Sequence, residues 1–330
     1  MKAKMKIIIF FMSSFLLPVS FCKASFFVMN LKQDSIYTPG NINLTMKLTE
    51  EAKIENNYQF KVSIFLTGTL IREQTIKADR EKPVNFELTV PEVFDRTEGR
   101  CRCELLIAEN FLEAQEVPLL LWPSIGPYKQ ERIKNTEIWV YDTSGKLLEL
   151  FGKMDIKVVD ATFKTARDFG KPDIVFVGEN TDPNNMQILA DGITSAKTEP
   201  VLIYLRQKQF LKESKIEVPT DNNLSKTIGL IKTNVFMAGL DFRDVTTLAN
   251  NSHYLKIKKD DADKIIRSYV DEVIKDEKNL YSYLCTIRQK NQVVIYCQLP
   301  VTDGNDPRSA VLLKNILNYT ESVINEIKAK

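Results

Sequence analysis

The sequence predicts two domains of different class, an antiparallel β-sandwich followed by a doubly wound α/β domain. Three observations carry this. Before Pro123 the chain is built from short alternating or β-branched runs, spaced by roughly 8–15 residues and broken by turn residues. Beyond Glu131, Ile/Val-rich strands alternate with helical stretches, as they do when parallel strands are covered on both faces. Between the two lies WPSIGPYKQ, whose two prolines and glycine mark a boundary. With 330 residues and 44% hydrophobic content the chain is long enough for two cores.

The runs of the first domain are INLTMKL, YQFKVSIFLTG, VNFELTVP, CRCELLIAEN and EVPLLLWP, with breaks at Thr38-Pro39-Gly40, Asp79 to Pro83 and Thr97-Glu98-Gly99. Residues 25–123 therefore read as an Ig-like sandwich. The Cys…Trp…Cys pattern of immunoglobulin domains is absent, so the term describes architecture alone. Residues 124–130 form the linker.

The second domain, 131–330, begins with the strand EIWVYD, the helix SGKLLELFGKM and the strand IKVVDA. Next come the strand KPDIVFVGEN, the helix NNMQILADGITS and the strand PVLIYLRQ. VVIYCQLP precedes a long amphipathic helix from Pro307, in which Val311, Leu312, Ile316, Leu317, Val323 and Ile324 follow a 3.6-residue period. This is the grammar of a flavodoxin-like domain. The run 255–279, LKIKKDDADKIIRSYVDEVIKDEKN, mixes signs at helical spacing. It reads as a helix with a solvated face, turning Ile265, Ile266, Tyr269 and Val273 inward.

The first 24 residues read as a secretory signal peptide. Lys2, Lys4 and Lys6 precede the apolar run Ile7 to Leu17, which is too short to span a membrane, and Cys22-Lys23-Ala24 supplies a cleavage site after Ala24. Export to the periplasm or the medium follows. Lipid attachment at Cys22 is the alternative, although Phe21 stands where a small residue is usual.

Removing the leader takes away four lysines and no acid, so the formal charge of +2 becomes about −2, with 41 basic and 43 acidic side chains. Such a balance excludes a nucleic-acid binder of the polycationic kind. Four cysteines remain. Cys101 and Cys103 lie two apart on one strand face and cannot bond each other. Cys285 and Cys297 flank a polar turn at Gln289 to Gln292, and a hairpin centred on Asn291 would set them opposite, which allows a cross-strand disulfide. Two buried free thiols are the other reading. A single histidine, His253, and this cysteine usage exclude the common zinc constellations. No GxGxxG or GxxxxGK[ST] follows Gly178, so nucleotide binding is unsupported and no cofactor is expected.

PDIVFVGEN, PVLIYLRQ, NVFMAGLDFRDV and above all VVIYCQLPVTDGNDPRSAVLLKNILNY make the second domain resemble the class I glutamine-amidotransferase-like fold. The likeness is to its non-catalytic branch, found at the carboxyl end of bacterial β-galactosidase-type and other glycoside hydrolase family 2 proteins behind a sandwich ending in Trp-Pro. The resemblance covers residues 130 to 325 and is most specific in the last forty. It implies that a nucleophile elbow would fall at the end of PVLIYLRQ. Leu205 and Arg206 stand there, and neither can attack an amide. His253 lies in an Asn/Ser-rich segment that reads as a loop, as an exposed or locally hydrogen-bonded side chain. No catalytic residue is assigned.

What remains is the crevice at the carboxyl ends of the parallel strands, where open α/β sheets bind ligands. The strand ends place Asp142, Glu179, Asn180, Arg206, Gln207 and Gln298 there. Such groups suit the hydroxyls of a sugar. They are equally the ordinary polar residues of strand termini, with Arg206 neutralised by Glu179 or Asp142. The expectation is an exported, non-catalytic carbohydrate-associated or assembly module, its partner a glycan or another exported protein. The rival is a glycan-acting hydrolase using strand-end carboxylates. Pairs such as Asp241 and Asp244 are too easily found among 43 acids to carry it, and the α/β part is too short for a TIM barrel of about 250 residues.

Overall fold

The computed structural model describes residues 25–328 apart from 51, 53–56, 80, 129–132, 163–169, 220–227, 231–233, 251, 260–264, 275 and 290–291. The expected signal peptide, with Cys22, lies outside the described residues. The protein is mostly β, with three sheets and four α-helices among the described residues. None of these helices is long and apolar enough to cross a membrane.

The amino-terminal part comprises β1 (Phe27–Leu31), β2 (Ser35–Thr38), β3 (Gly40–Leu48), β4 (Tyr58–Leu66), β5 (Thr69–Lys77), β6 (Val84–Val90), β7 (Thr97–Ile107) and β8 (Asn110–Pro123). One sheet has the order β1-β3-β6 and the other β2-β8-β7-β4-β5. Alternation dictates the packing: Ile42, Leu44 and Met46 of β3 and Phe60, Val62 and Ile64 of β4 are all essentially inaccessible and share one core with Phe86, Cys101, Cys103 and Leu105. Strand β5 escapes the sequence reading because it lies at an edge with no buried residue, so no alternation marks it.

The third sheet is built from β9 (Ile138–Tyr141), β10 (Val159–Asp160), β11 (Ile174–Val177), β12 (Val201–Leu205), β13 (Ile216–Glu217), β14 (Ile228–Leu230), β15 (Leu255–Lys258), β16 (Ile265–Glu272), β17 (Asn279–Gln289) and β18 (Gln292–Cys297). Its main path runs β10-β9-β11-β12-β18-β17-β15-β13, with β16 beside β17 and β14 beside β16. The first five strands are parallel; from β18 onward the pairs are antiparallel. Helices α1 (Lys146–Lys153), α3 (Phe242–Asn250) and α4 (Pro307–Lys328) pack on one face, and α2 (Pro183–Ser195) on the other. Each start has a chemical cause. Asp182 caps α2 by accepting from Asn184 N at 2.8 Å ahead of Pro183. Pro307 opens α4, whose buried stripe includes Leu312, Leu313, Ile316, Leu317, Val323 and Ile324.

Two expectations are corrected. The run 255–279 holds the strands β15 and β16, and no helix among its described residues. Ile265 and Val273 are each 59% exposed, whereas Tyr269 is buried. Pairing with β17, from Ile265↔Arg288 onward, prevails over the helical charge spacing. The hairpin is also tighter by one residue than a turn centred on Asn291, since Gln289 pairs with Gln292. Cys285 then faces Tyr296, and Cys297 faces Leu284. A one-residue change of register sends the two sulfurs to opposite faces, Cys297 into the core beneath α4 and Cys285 into the cluster on the other side. Both are free thiols, so the Cys285–Cys297 disulfide does not form.

Candidate functional site

A cleft of about 550 Å³ opens at the carboxyl ends of the parallel strands. Its floor carries Glu179, two residues beyond the end of β11, and Arg206, the residue directly after β12. The first turns of α1 and α4 contribute Lys146 and Arg308, α3 contributes Thr247 and Leu248, and the loop Pro300–Asp306 closes the side. Glu179 Oε1 accepts from Thr302 Oγ1 at 2.6 Å, and Oε2 lies 3.8 Å from the Arg206 guanidinium. Arg206 has a backbone φ of 44°, and its N–H donates to the Cys297 carbonyl at 2.6 Å. For a residue with a Cβ this is the sparsely used left-handed region.

Of the six strand-end residues singled out from the sequence, only Glu179 and Arg206 line the cleft. Three of the others hold the fold. Asp142 is 3% exposed, and its carboxylate accepts from Ser144 N (3.0 Å), Ser144 Oγ (2.7 Å) and Leu147 N (2.9 Å), which ties the end of β9 to the start of α1. Gln207 is 2% exposed; its amide donates to the carbonyls of Gly178 (2.5 Å) and Leu205 (2.6 Å) and accepts from Thr181 N at 2.9 Å. Gln298, 1% exposed, donates to the Gln207 carbonyl at 2.8 Å. A polar strand end is thus often a clamp between neighbouring loops. Asn180 stands outside the lining, its N–H on the Arg206 carbonyl at 3.2 Å.

The sequence reading does not place Thr302, Asp303, Asp306, Arg308, Lys146 and Lys153 at the site, and all six line the cleft. The signal was present in VTDGND, a loop of Asp, Gly and Asn between an apolar strand and a helix. The lining carries four cations, Lys146, Lys153, Arg206 and Arg308, and four carboxylates, Glu149, Glu179, Asp303 and Asp306. Three pairs neutralise each other: Lys153–Glu149 at 2.7 Å, Arg206–Glu179 at 3.8 Å and Arg308–Asp306 at 2.9 Å.

Nucleophilic chemistry finds little here. Thr247 and Thr302 bring the hydroxyls of the described lining, and neither histidine nor cysteine is among it. Cys297 lies under the floor, 1% exposed, and burial pushes its thiol up to about 12, so it stays protonated and inert. His253 sits between α3 and β15, half-buried, in an irregular segment as read from the sequence. Its Nδ1 is buried with no hydrogen-bond partner among the described residues, which departs from the expected exposed or locally hydrogen-bonded side chain. Among the described residues no group of three His, Cys, Asp or Glu side chains is placed to hold a metal ion.

No family model matches the chain, and no curated protein matches it. Among solved structures it is similar to the CARDB domain of PF1109 from Pyrococcus furiosus, at 13% identity over 29% of this chain and 94% of that one, TM-score 0.21. It is also similar to the beta-glucuronidase of Parabacteroides merdae, at 11% identity over 54% of this chain and 29% of that one, TM-score 0.21. A third is a cycloisomaltooligosaccharide glucanotransferase from Paenibacillus sp., at 9% identity over 62% and 32%, TM-score 0.22. The chain spans about a third or less of the length of the two enzymes.

Proposed function

We propose that this is an exported, non-catalytic module that binds a neutral carbohydrate in the cleft at the strand ends. The observation that carries this reading is the charge balance of the cleft: four cations and four carboxylates, largely paired, in a space of about 550 Å³. A phosphate or nucleotide site needs a positive excess and open amide donors. Paired guanidinium, ammonium and carboxylate groups instead offer donors and acceptors side by side, which is what vicinal hydroxyls require.

In this reading the sandwich is Ig-like, and the second domain follows the flavodoxin-like plan of the amidotransferase-like family with its elbow emptied. Two features support it. The parallel strands carry helices on both faces, and the strained φ of 44° falls on Arg206, where the nucleophile of an active relative would stand. The rival hydrolase is disfavoured by Asp142, whose carboxylate already accepts three hydrogen bonds away from the cleft.

The test is a glycan array with the mature chain, followed by titration calorimetry on any hit. Glu179→Ala and Arg206→Ala are expected to weaken binding by about 10- to 100-fold each, as loss of a charge-assisted hydrogen bond does. Binding that is unchanged in both variants sinks the site, and a chain that retains no glycan but an exported protein is an assembly module instead.

A further inference from the structure

We propose that the sandwich sets the shape of the cleft, and that Arg96 is the positioning residue through which it acts. Arg96 comes from the loop between β6 and β7. Its guanidinium lies 5.3 Å from the centre of the Trp122 ring. That ring is 4% exposed and is fixed by its Nε1–H on Ser35 Oγ at 2.7 Å, so the cation stands on a rigid part of the sandwich. From there one nitrogen donates to two carboxylates of the other domain, Asp241 Oδ2 at 2.8 Å and Asp244 Oδ2 at 3.1 Å.

Those carboxylates form the start of α3. Asp241 N donates to Asp244 Oδ2 at 2.9 Å, and Asp244 N donates to Asp241 Oδ1 at 3.0 Å, a reciprocal cap on the first turn. One turn further along the same helix, Thr247 and Leu248 form a wall of the cleft. Arg96 thus grips the end of the element that makes the wall. With Asp244 only 3% exposed, removing the guanidinium leaves a buried carboxylate beside a second one, which is relieved by movement of the helix end or by uptake of a proton.

A second tether works the same way beside the first. Arg308, in the first turn of α4, lies 3.4 Å from Asp34 of the sandwich, and Gln33 Nε2 donates to the Asn305 carbonyl at 3.5 Å. Arg308 and Asn305 both line the cleft. The sandwich therefore holds both the α3 wall and the Pro300–Asp306 loop. Displacement of the sandwich opens or closes the cleft, and by linkage a ligand in the cleft must shift the sandwich in return. This inference uses the proposed function in treating the cleft as the working site, but the brace is measured without any ligand.

The experiment is hydrogen–deuterium exchange on the full chain, comparing wild type with Arg96→Lys and Asp34→Asn. Lysine keeps the charge but lacks the planar guanidinium, whose carbon lies over Trp122 while its Nη2 meets both carboxylates, so the donor is no longer held in one place. Arg96→Lys is expected to speed exchange roughly tenfold in peptides covering 242–250, and Asp34→Asn to do so in peptides covering 300–309, with 174–177 and 183–195 unchanged. Unaltered exchange at both cleft segments overturns the proposal. So does a uniform rise along the chain in both variants, which would make these residues general supports of the fold. A failure to bind glycans leaves this readout untouched, so the two readings fail separately.

Discussion

Gly178 and Asp142 approach so closely that a Cβ on the glycine would lie 2.6 Å from Asp142 Oδ1 and 2.8 Å from its Cβ. Neither partner has room to yield. Gly178 N donates to the Tyr141 carbonyl at 2.7 Å, and the Asp142 carboxylate is engaged with Ser144 and Leu147. Gly178→Ala is expected to cost about 1–3 kcal/mol, read as a lower urea midpoint at unchanged slope. Asp142→Gly removes the obstacle, Cβ included, along with the tie to α1, so the double variant should be less destabilised than the two single losses added together.

Asp271, on β16 opposite Ser282, is raised to about 6 by burial, with Lys259 opposing the shift. Its carboxyl binds the proton more tightly folded than unfolded. The stability it contributes is complete below the unfolded value near 4 and is lost as pH rises through 6. Asp271→Asn keeps an oxygen for the Ser268 hydroxyl that now donates to the carboxylate. The variant should be more stable than wild type by about 1–2 kcal/mol at pH 8 and indistinguishable at pH 4, by thermal denaturation at both values.

The pattern of β-branched runs made most strands legible, and with them the sandwich, the parallel strands and three of the four described helices. Two kinds of feature were not legible. The antiparallel arm was misread because DADKIIRSYVDEV satisfies both a helical charge spacing and a period of two, and only the partner β17 decides between them. The site was half legible for a related reason. Sequence places Asp142, Gln207 and Gln298 at strand ends, but whether such a group faces solvent or clamps the next loop depends on which loop arrives beside it. Gln207 clamps because the Gly178 and Leu205 carbonyls and the Thr181 N–H converge on it.

The four described cysteines should be unreactive in the folded chain. All are buried and free, and burial raises the thiols of Cys101, Cys103 and Cys297 to about 12 and that of Cys285 also upward. A thiol-specific reagent at pH 8 is expected to label none of them without denaturant and all four in guanidinium. A raised thiol favours the folded form only while it stays protonated, so stability should decline as pH rises from about 9 toward 12. Rapid labelling of Cys297 in the native protein would show that the floor of the cleft opens to solvent.

Arg206 joins backbone strain to the cleft, and the two are separable by substitution. At φ 44° a residue with a Cβ bears a cost of about 1–2 kcal/mol that glycine does not. Arg206→Gly relieves this, loses the contact with Glu179 at 3.8 Å, and gains unfolded-state freedom of about 0.5–1 kcal/mol. These terms oppose one another, so its stability should stay within about 1 kcal/mol of wild type. Arg206→Val, β-branched and less tolerant of positive φ, should be destabilised by about 1–2 kcal/mol more than the glycine variant. Both are expected to lose glycan binding. A glycine variant as stable as wild type and unable to bind would show that the strain at the end of β12 is retained for the guanidinium it places. A valine variant as stable as the glycine one would show that this backbone carries no strain, and would remove one support for reading the position as an emptied elbow.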